Sequence, residues 1–298
     1  MIDVAALAAL TVSPHRGPPM SLDVSTVGFK TEPHVFKYTF ETVVLYALGI
    51  GAKKAELDYL YEGRGPKVYP TFAVIPAYGP VSELFSKTRC DMNMLVHGAQ
   101  ALRIHRPLPS AATLESVGVI SGIYDMKKLA QVVLTTHTTL NGEPCFDTEW
   151  QLLIRDAGGF AGDRPPKKDV PKIPEGAATF SHREATSPEQ ALLYRLSGDL
   201  NPLHADPAFA AQVGFEQGPI LHGLCTYGFL GRAVIQNACQ GDASRLKSLV
   251  AQFRKPVWPG DEIVSEGFDL GDGRFALQAF AGGRPDPVIT GAWAEITR

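Results

Sequence analysis

The stretch Leu221-His222-Gly223-Leu224-Cys225-Thr226-Tyr227-Gly228-Phe229-Leu230-Gly231-Arg232-Ala233-Val234-Ile235-Gln236-Asn237-Ala238 decides how this chain folds. Its apolar residues fall on nearly every side of a helix, so a helix here has no wet face and must be enclosed by other elements. Gly223, Gly228 and Gly231 remove side chains where a neighbouring backbone can come close. The residues that follow alternate apolar with polar and predict strands over Leu246–Arg254, Glu262–Phe268, Arg274–Phe280 and Val288–Ile296. Pro259-Gly260-Asp261 and Gly271-Asp272-Gly273 supply turns between them. Upstream, Thr179 to Glu184 predicts another strand. Ser187-Pro188-Glu189-Gln190 reads as a serine-capped helix start with glutamine three residues on, and Asp206-Pro207 as the start of a second helix. The expected unit is α+β, with a long antiparallel sheet wrapped around one buried helix.

That arrangement is a hot-dog domain, and the two halves of the chain echo each other. Tyr46-Ala47-Leu48-Gly49 falls on Tyr194-Arg195-Leu196-Ser197 at a shift of 148. Pro107 falls on Pro256 at a shift of 149, and Trp150 on Trp293 at 143. Three anchors in one order at nearly one spacing indicate duplication. The first half predicts a helix over Thr39–Gly49 and strands over Ala99–Arg106, Thr113–Ile120, Gln131–Thr138 and Asp147–Arg155. It offers no equally long apolar helix, so its central helix is expected to be short or broken. Glycine, proline and charge over residues 156–174 suit an exposed linker. The expected division is an extension over 1–20, a first domain over 21–155, that linker, and a second domain over 175–298.

Bulk properties narrow the function. Hydrophobic residues make up 45% and charged residues 20% of the 298, a globular balance with material for a core. The net charge of −3, with no Lys/Arg block, points away from nucleic acid and membrane surfaces as partners. Cys90, Cys145, Cys225 and Cys239 form no CxxC pair, so neither a disulfide framework nor a structural zinc site is expected. No apolar run is long enough to span a bilayer. The start lacks a basic signal-peptide region and the end is not a Ser-Lys-Leu peroxisomal signal, so a cytoplasmic location is expected. There is no glycine-rich dinucleotide fingerprint, and neither a cofactor nor a metal is expected. His15, His34, His105, His137 and His182 are scattered singly and read as structural or solvent-facing. Exposed strand edges make a homodimer plausible.

The chemistry concentrates in Tyr194-Arg195-Leu196-Ser197-Gly198-Asp199-Leu200-Asn201-Pro202-Leu203-His204. Pro202 stops a helix from running through, so the chain must turn between Asp199 and His204. A turn lets both side chains face one spot and hold a water as a general acid/base pair. Asp-x-Asn-Pro is also simply a common turn. Downstream, Pro219-Ile220-Leu221-His222-Gly223 leads into the apolar helix, whose free N-terminal amides suit an oxygen that gains negative charge. Gly223 would admit a carbonyl close to its N–H, or would serve helix–sheet packing instead. Under the shift of 148, Asp199 falls on Gly51 and His204 on Glu56, so the first half lacks the pair and one active site is expected.

Gly198-Asp199-x-Asn201-Pro202-x-His204 followed by Pro219-Ile220-Leu221-His222-Gly223 resembles the hydratase 2 motif of (R)-specific enoyl-CoA hydratases and MaoC-like dehydratases. Leu45-Tyr46-Ala47-Leu48-Gly49-Ile50-Gly51, Leu95-Val96-His97-Gly98-Ala99-Gln100 and Arg106-Pro107-Leu108-Pro109 resemble the eukaryotic-type, double hot-dog branch. The resemblance runs from about residue 28 to 298. It implies a fold of two fused hot-dog domains acting on an acyl-CoA thioester. It also implies that Asp199 and His204 activate the hydrating water, that Asn201 helps orient the substrate, and that the Gly223 N–H is the oxyanion donor. Ala99 stands where the branch usually has glutamate. The resemblance further implies that the first half shapes an acyl-chain tunnel, for which Met92, Met94 and Leu95 are candidate linings, although core packing also accounts for them. Arg195, Arg254 and Lys255 are candidates for CoA phosphates, with surface solvation the simpler reading. The expected reaction is syn hydration of a trans-2-enoyl-CoA to the (R)-3-hydroxyacyl-CoA. The alternatives are a hot-dog thioesterase, a dehydratase acting on an acyl carrier protein or a sterol side-chain CoA, and a non-catalytic acyl-CoA-binding subunit.

Overall fold

The alternating segments pair into one sheet in the computed structural model, which describes residues 22–91 and 94–297. The expected extension over 1–20, His15 and Met92 lie outside the described residues. The first half supplies β1 (His34–Tyr38), α1 (Phe40–Gly49), α2 (Leu57–Leu60), α3 (Tyr78–Lys87), β2 (Leu95–Ile104), β3 (Ala112–Asp125), β4 (Leu129–Leu140) and β5 (Glu143–Arg155). The second half supplies β6 (Phe180–Ala185), α4 (Gln190–Tyr194), α5 (Pro207–Gln212), α6 (Gly223–Asn237), β7 (Leu246–Phe253), β8 (Glu262–Gly271), β9 (Arg274–Ala281) and β10 (Ile289–Ile296). All ten strands form one antiparallel sheet in the order β1-β3-β4-β5-β2-β7-β10-β9-β8-β6.

The halves meet where β2 pairs with β7, Ala99 opposite Gln252 through Arg103 opposite Ser248. Outward from that seam the first half runs β2, β5, β4, β3, β1 and the second β7, β10, β9, β8, β6, the same order of elements. The duplication in the sequence is therefore a pseudo-two-fold in space, with two hot-dog units joined edge to edge.

Helix α6 is enclosed as its composition demands: every residue from Leu224 to Ile235 is buried. On the sheet side, the Tyr227 hydroxyl donates to the Leu249 carbonyl at 2.7 Å. On the other side the first half presses into the gaps left by glycine. A Cβ at Gly228 would lie 2.2 Å from Ile50, and one at Gly231 would lie 2.7 Å from Thr71. Large apolar side chains buried this fully, Phe229 and Leu230 among them, each contribute about 1.5–3 kcal/mol. The first half's central helix, α3, spans 10 residues against 15 in α6, shorter as expected. Its Pro80 and Leu84 fill the space beneath Gly118 of β3.

The one charge on the buried side of α6 is neutralised across the halves. Arg232 is 1% exposed and donates to Glu56 Oε2 at 3.2 Å, to Glu184 Oε2 at 2.6 Å and to the Ile50 carbonyl at 3.0 Å. Glu56 also accepts from Tyr69 and Gln236.

Several boundaries differ from expectation. The helix expected at Ser187 begins at Gln190, and Ser187 belongs to the preceding turn. Gln190 reaches back as expected, its Oε1 accepting from the Ser187 N–H at 3.4 Å, while its amide nitrogen donates to the carbonyls of Leu48 and Gly49 at 3.2 and 2.7 Å, which satisfies the C-terminal end of α1. Strand β2 starts at Leu95 rather than Ala99, because Leu95 to His97 already pair with β5 before a register shift around Gly98. His105 and His137 are not isolated: both contact Asp147, at 2.7 and 2.8 Å. His34 pairs with Glu83 at 2.7 Å.

Candidate active site

The turn between Asp199 and His204 is built from local hydrogen bonds. The Asn201 side-chain oxygen accepts from the Leu203 N–H at 3.0 Å, and Pro202 opens a single 3-10 turn ending at His204. Gly198, at φ +129°, lets the preceding turn end and the chain reverse. Arg195 braces the loop by donating to the Leu200 carbonyl at 3.3 Å. Asp199 and His204 are thereby brought together, and His222 joins them: each of the three offers a nitrogen or oxygen within 4.8 Å of the others. Two imidazoles and a carboxylate are ligand types suited to a divalent ion. Among the described residues this is the one such group of three.

The hydrogen bonds of the two histidines fix which nitrogen carries the proton. His204 Nδ1 lies 2.8 Å from the Ile220 carbonyl, which can only accept, so Nδ1 bears the hydrogen and Nε2 keeps a lone pair. By the same reasoning His222 Nε2 donates to the Asp199 carbonyl at 3.1 Å. The two rings stack at 3.7 Å and 26°. The Asp199 carboxylate accepts from the Asn201 N–H at 3.2 Å on Oδ1 and from the Tyr78 hydroxyl at 3.0 Å on Oδ2.

Burial and hydrogen bonding set opposite demands here. Burial pushes the Asp199 carboxyl up, but His222, His204, the Asn201 N–H and the Tyr78 hydroxyl outweigh it and hold the group below the ordinary carboxylate value. Burial pushes His204 down against the pull of Asp199, and pushes His222 down to about 3. The site at neutral pH is a carboxylate beside two neutral imidazoles, a set that can accept a proton from water.

Gly223 is the first residue of α6, so its N–H is one of the amides without an acceptor inside the helix. The nearest atoms to a Cβ there belong to the Phe253 ring at 3.5 Å, an ordinary contact, unlike the crowding at Gly228 and Gly231. Packing therefore demands glycine at 228 and 231 but not at 223. Asn201 is exposed, and its side-chain oxygen is occupied in holding the turn.

A row of rings crosses the seam beside these groups. Tyr78 meets Trp150 edge-on at 5.4 Å, Trp150 stacks on His97 at 5.2 Å, and His97 meets Phe253 at 5.0 Å. Met94 and Leu95 are partly buried against the core. Ala99 is buried within β2. His204 also lines a cavity of about 640 Å³, together with residues that include Leu192, Gln217, Trp258 and Arg284. Arg254 and Lys255 have partners in Thr290 and Asp286.

The corresponding place in the first half is filled. Gly51, opposite Asp199 in the repeat, is crowded by Phe229, whose Cζ would lie 2.4 Å from a Cβ; Glu56, opposite His204, is committed to Arg232. Sequence reading passed over His222 and Tyr78 as site residues. His222 stood inside a quoted motif and adjoins Gly223. Tyr78 comes from 121 residues away and carried no local signal.

Comparison with known proteins gives the same picture in both halves. Residues 36–156 match the family model described as the MFE-2 hydratase 2 N-terminal domain, and residues 169–278 match the MaoC like domain. The chain is 39% identical to 3-hydroxyacyl-thioester dehydratase Y of Mycobacterium tuberculosis, over 82% of this chain and 86% of that one. It is 39% identical to a probable enoyl-CoA hydratase 2 of Dictyostelium discoideum, over 83% and 87%. The crystal structure of a MaoC-like dehydratase from Phytophthora capsici superposes with a TM-score of 0.85 at 29% identity, covering 93% of this chain and 98% of that one. With two hot-dog units matched in order and such relatives aligned along most of its length, the chain belongs to the hydratase 2 family of MaoC-like dehydratases.

Proposed function

We propose that this protein is an enoyl-CoA hydratase that adds water reversibly, in the syn sense, to a trans-2-enoyl-CoA, giving the (R)-3-hydroxyacyl-CoA. The observation that carries this reading is the convergence of the Asp199 carboxylate and the His204 imidazole at the mouth of the α6 N-terminus. A water held between them loses a proton as its oxygen bonds to C3, and a proton is delivered to C2, so that one water is added overall. The charge that develops on the thioester oxygen is met by the Gly223 N–H, aided by the helix dipole. Asn201 holds the turn that aims both groups. The cavity beside His204 is of the size that takes a small-molecule arm, and the CoA moiety would lie there. The first half (residues 21–155) would bind the acyl chain, the second (175–298) would carry the chemistry, and 156–174 would link them.

The relatives' names support a CoA or other thioester substrate, since they are called enoyl-CoA hydratase 2 and 3-hydroxyacyl-thioester dehydratase. No helix among the described residues is long and apolar enough to cross a membrane. The reading extends to a cytoplasmic homodimer, tested by fractionation and sedimentation.

The deciding experiment incubates the purified chain with trans-2-enoyl-CoAs of graded length and follows loss of the conjugated enoyl absorbance. The product is then offered to (R)- and (S)-specific 3-hydroxyacyl-CoA dehydrogenases. Hydration with product taken only by the (R)-specific enzyme is expected. Release of free CoA from saturated acyl-CoA, without hydration, would make the protein a thioesterase instead.

A further inference from the structure

The pseudo-two-fold that relates β2 to β7 also relates the N-termini of the central helices. Gly223 is the first residue of α6, after His222; Tyr78 is the first residue of α3, after Ala77. Where the second half presents a bare amide, the first half presents a phenol. That hydroxyl reaches Asp199 Oδ2 at 3.0 Å, and its ring is held edge-on against Trp150 at 5.4 Å and 69°. Trp150 is itself fixed by its indole N–H donating to Thr148 at 2.8 Å.

We propose that Tyr78 is a positioning residue for the hydration, a donor supplied by the degenerate half that fixes the Asp199 carboxylate for its water. The proposal rests on the hydratase reading above. Two donors set the plane of that carboxylate: the Asn201 N–H on Oδ1 and the Tyr78 hydroxyl on Oδ2. The first is local and travels with the turn. Only the second is anchored outside the loop, so without it the carboxylate can rotate about its Cβ–Cγ bond. Each carboxylate oxygen has two lone pairs, which leaves one on each for water. The phenol is a one-way donor, because burial and the charge of Asp199 both hold its proton in place. The degenerate half thus completes the acid/base site as well as flanking it, and the two halves must dock correctly for either to be useful.

The test is Tyr78→Phe in the full chain, which keeps the ring and its contact with Trp150. A hydrogen bond to a charged group is at stake, so kcat should fall roughly ten- to hundredfold. KM should stay within about twofold, since no substrate contact is removed. The acid limb of the kcat/KM profile should move to higher pH, because Asp199 loses a donor that lowers its pKa. In an Asp199→Asn background the same substitution should cost little more, as expected when one residue acts through the other. Wild-type kcat in Tyr78→Phe, or an equal fold-loss in both backgrounds with an unmoved acid limb, overturns the proposal. If the wild-type chain hydrates no enoyl thioester, the hydratase reading fails and takes this proposal with it; hydration by wild type with an indifferent Tyr78 removes this proposal alone.

Discussion

Gly223→Ala separates the two reasons a glycine can stand at the head of a buried helix. The substitution adds one methyl at the first position of α6. The structure gives it room: the nearest heavy atom is in the Phe253 ring at 3.5 Å, and the backbone is not in the left-handed region. Alanine is favoured over glycine inside helices by roughly 0.8–1.0 kcal/mol, an upper bound at a first position. Folding stability should therefore change by less than about 1 kcal/mol. Activity should respond very differently. An oxygen accepting from the Gly223 N–H must sit about 2.9 Å from the nitrogen, beside the new methyl. Displacing it forfeits an oxyanion donor, worth about 10²–10³ in kcat. The assay pairs urea unfolding with enoyl-CoA hydration on the same preparation. Gly228→Ala is the matched control, because its Cβ would lie 2.2 Å from Ile50 Cγ2. Overpacking of that kind typically costs about 1–3 kcal/mol, with hydration per folded molecule retained. Wild-type kcat and KM in Gly223→Ala would refute the oxyanion assignment and return Gly223 to a packing role.

Asp199→Asn and His204→Gln should each lower turnover by about 10²–10⁴ while circular dichroism stays unchanged; near-normal turnover in either would remove the acid/base assignment. Arg232→Met removes the buried cation that Glu56 and Glu184 share, leaving Glu184 only its longer contacts with Lys53 at 3.8 Å and His182 at 3.7 Å, and should cost about 3–5 kcal/mol in urea unfolding, largely recovered when both glutamates become glutamine. A loss below about 1 kcal/mol would mean that the cluster does not lock the halves. Because burial depresses His204 and the site's donors depress Asp199, both stay deprotonated below the ordinary imidazole value. The kcat/KM plateau should accordingly extend below about pH 6.5, and a midpoint at or above that value would contradict the geometry. Stability should follow the same sign. His97 and His222 are pushed down to about 4 and 3, so the unfolded chain takes up their protons first. Their contribution is full above about pH 6.5 and is lost as pH falls toward the folded values, at about 1.4 kcal/mol per pH unit for each, measured as urea midpoints from pH 7 to 4.5.

Much of this protein is written in local sequence. The apolar circumference of α6 required enclosure, the period-two alternation gave most strands to within a few residues, and Asn201-Pro202 and Asp206-Pro207 produced the turn and the capped helix they predict. Such features depend on interactions between residues close in the chain. At the start of α4 the local Ser187–Gln190 contact was legible, whereas the two carbonyls of α1 that the same glutamine satisfies, more than 140 residues away, were not. The same limit applies to the site. The turn that joins Asp199 to His204 was legible, as was the loss of that pair at Gly51 and Glu56.

What the sequence alone determined is therefore the two-unit architecture, the turn that brings Asp199 and His204 together and the buried helix that follows it. The tertiary structure decided the rest. It set the β2–β7 seam, the stacking of His222 on His204, the Arg232 ion cluster and the reach of Tyr78 to Asp199. Apart from the His222–His204 stack within the second half, these contacts cross between the halves, and a side chain's local sequence does not specify which distant group will offer a lone pair, a charge or a ring once the two halves dock. Only the fold sets those distances, and the distances decide whether a tyrosine is core packing or part of a site.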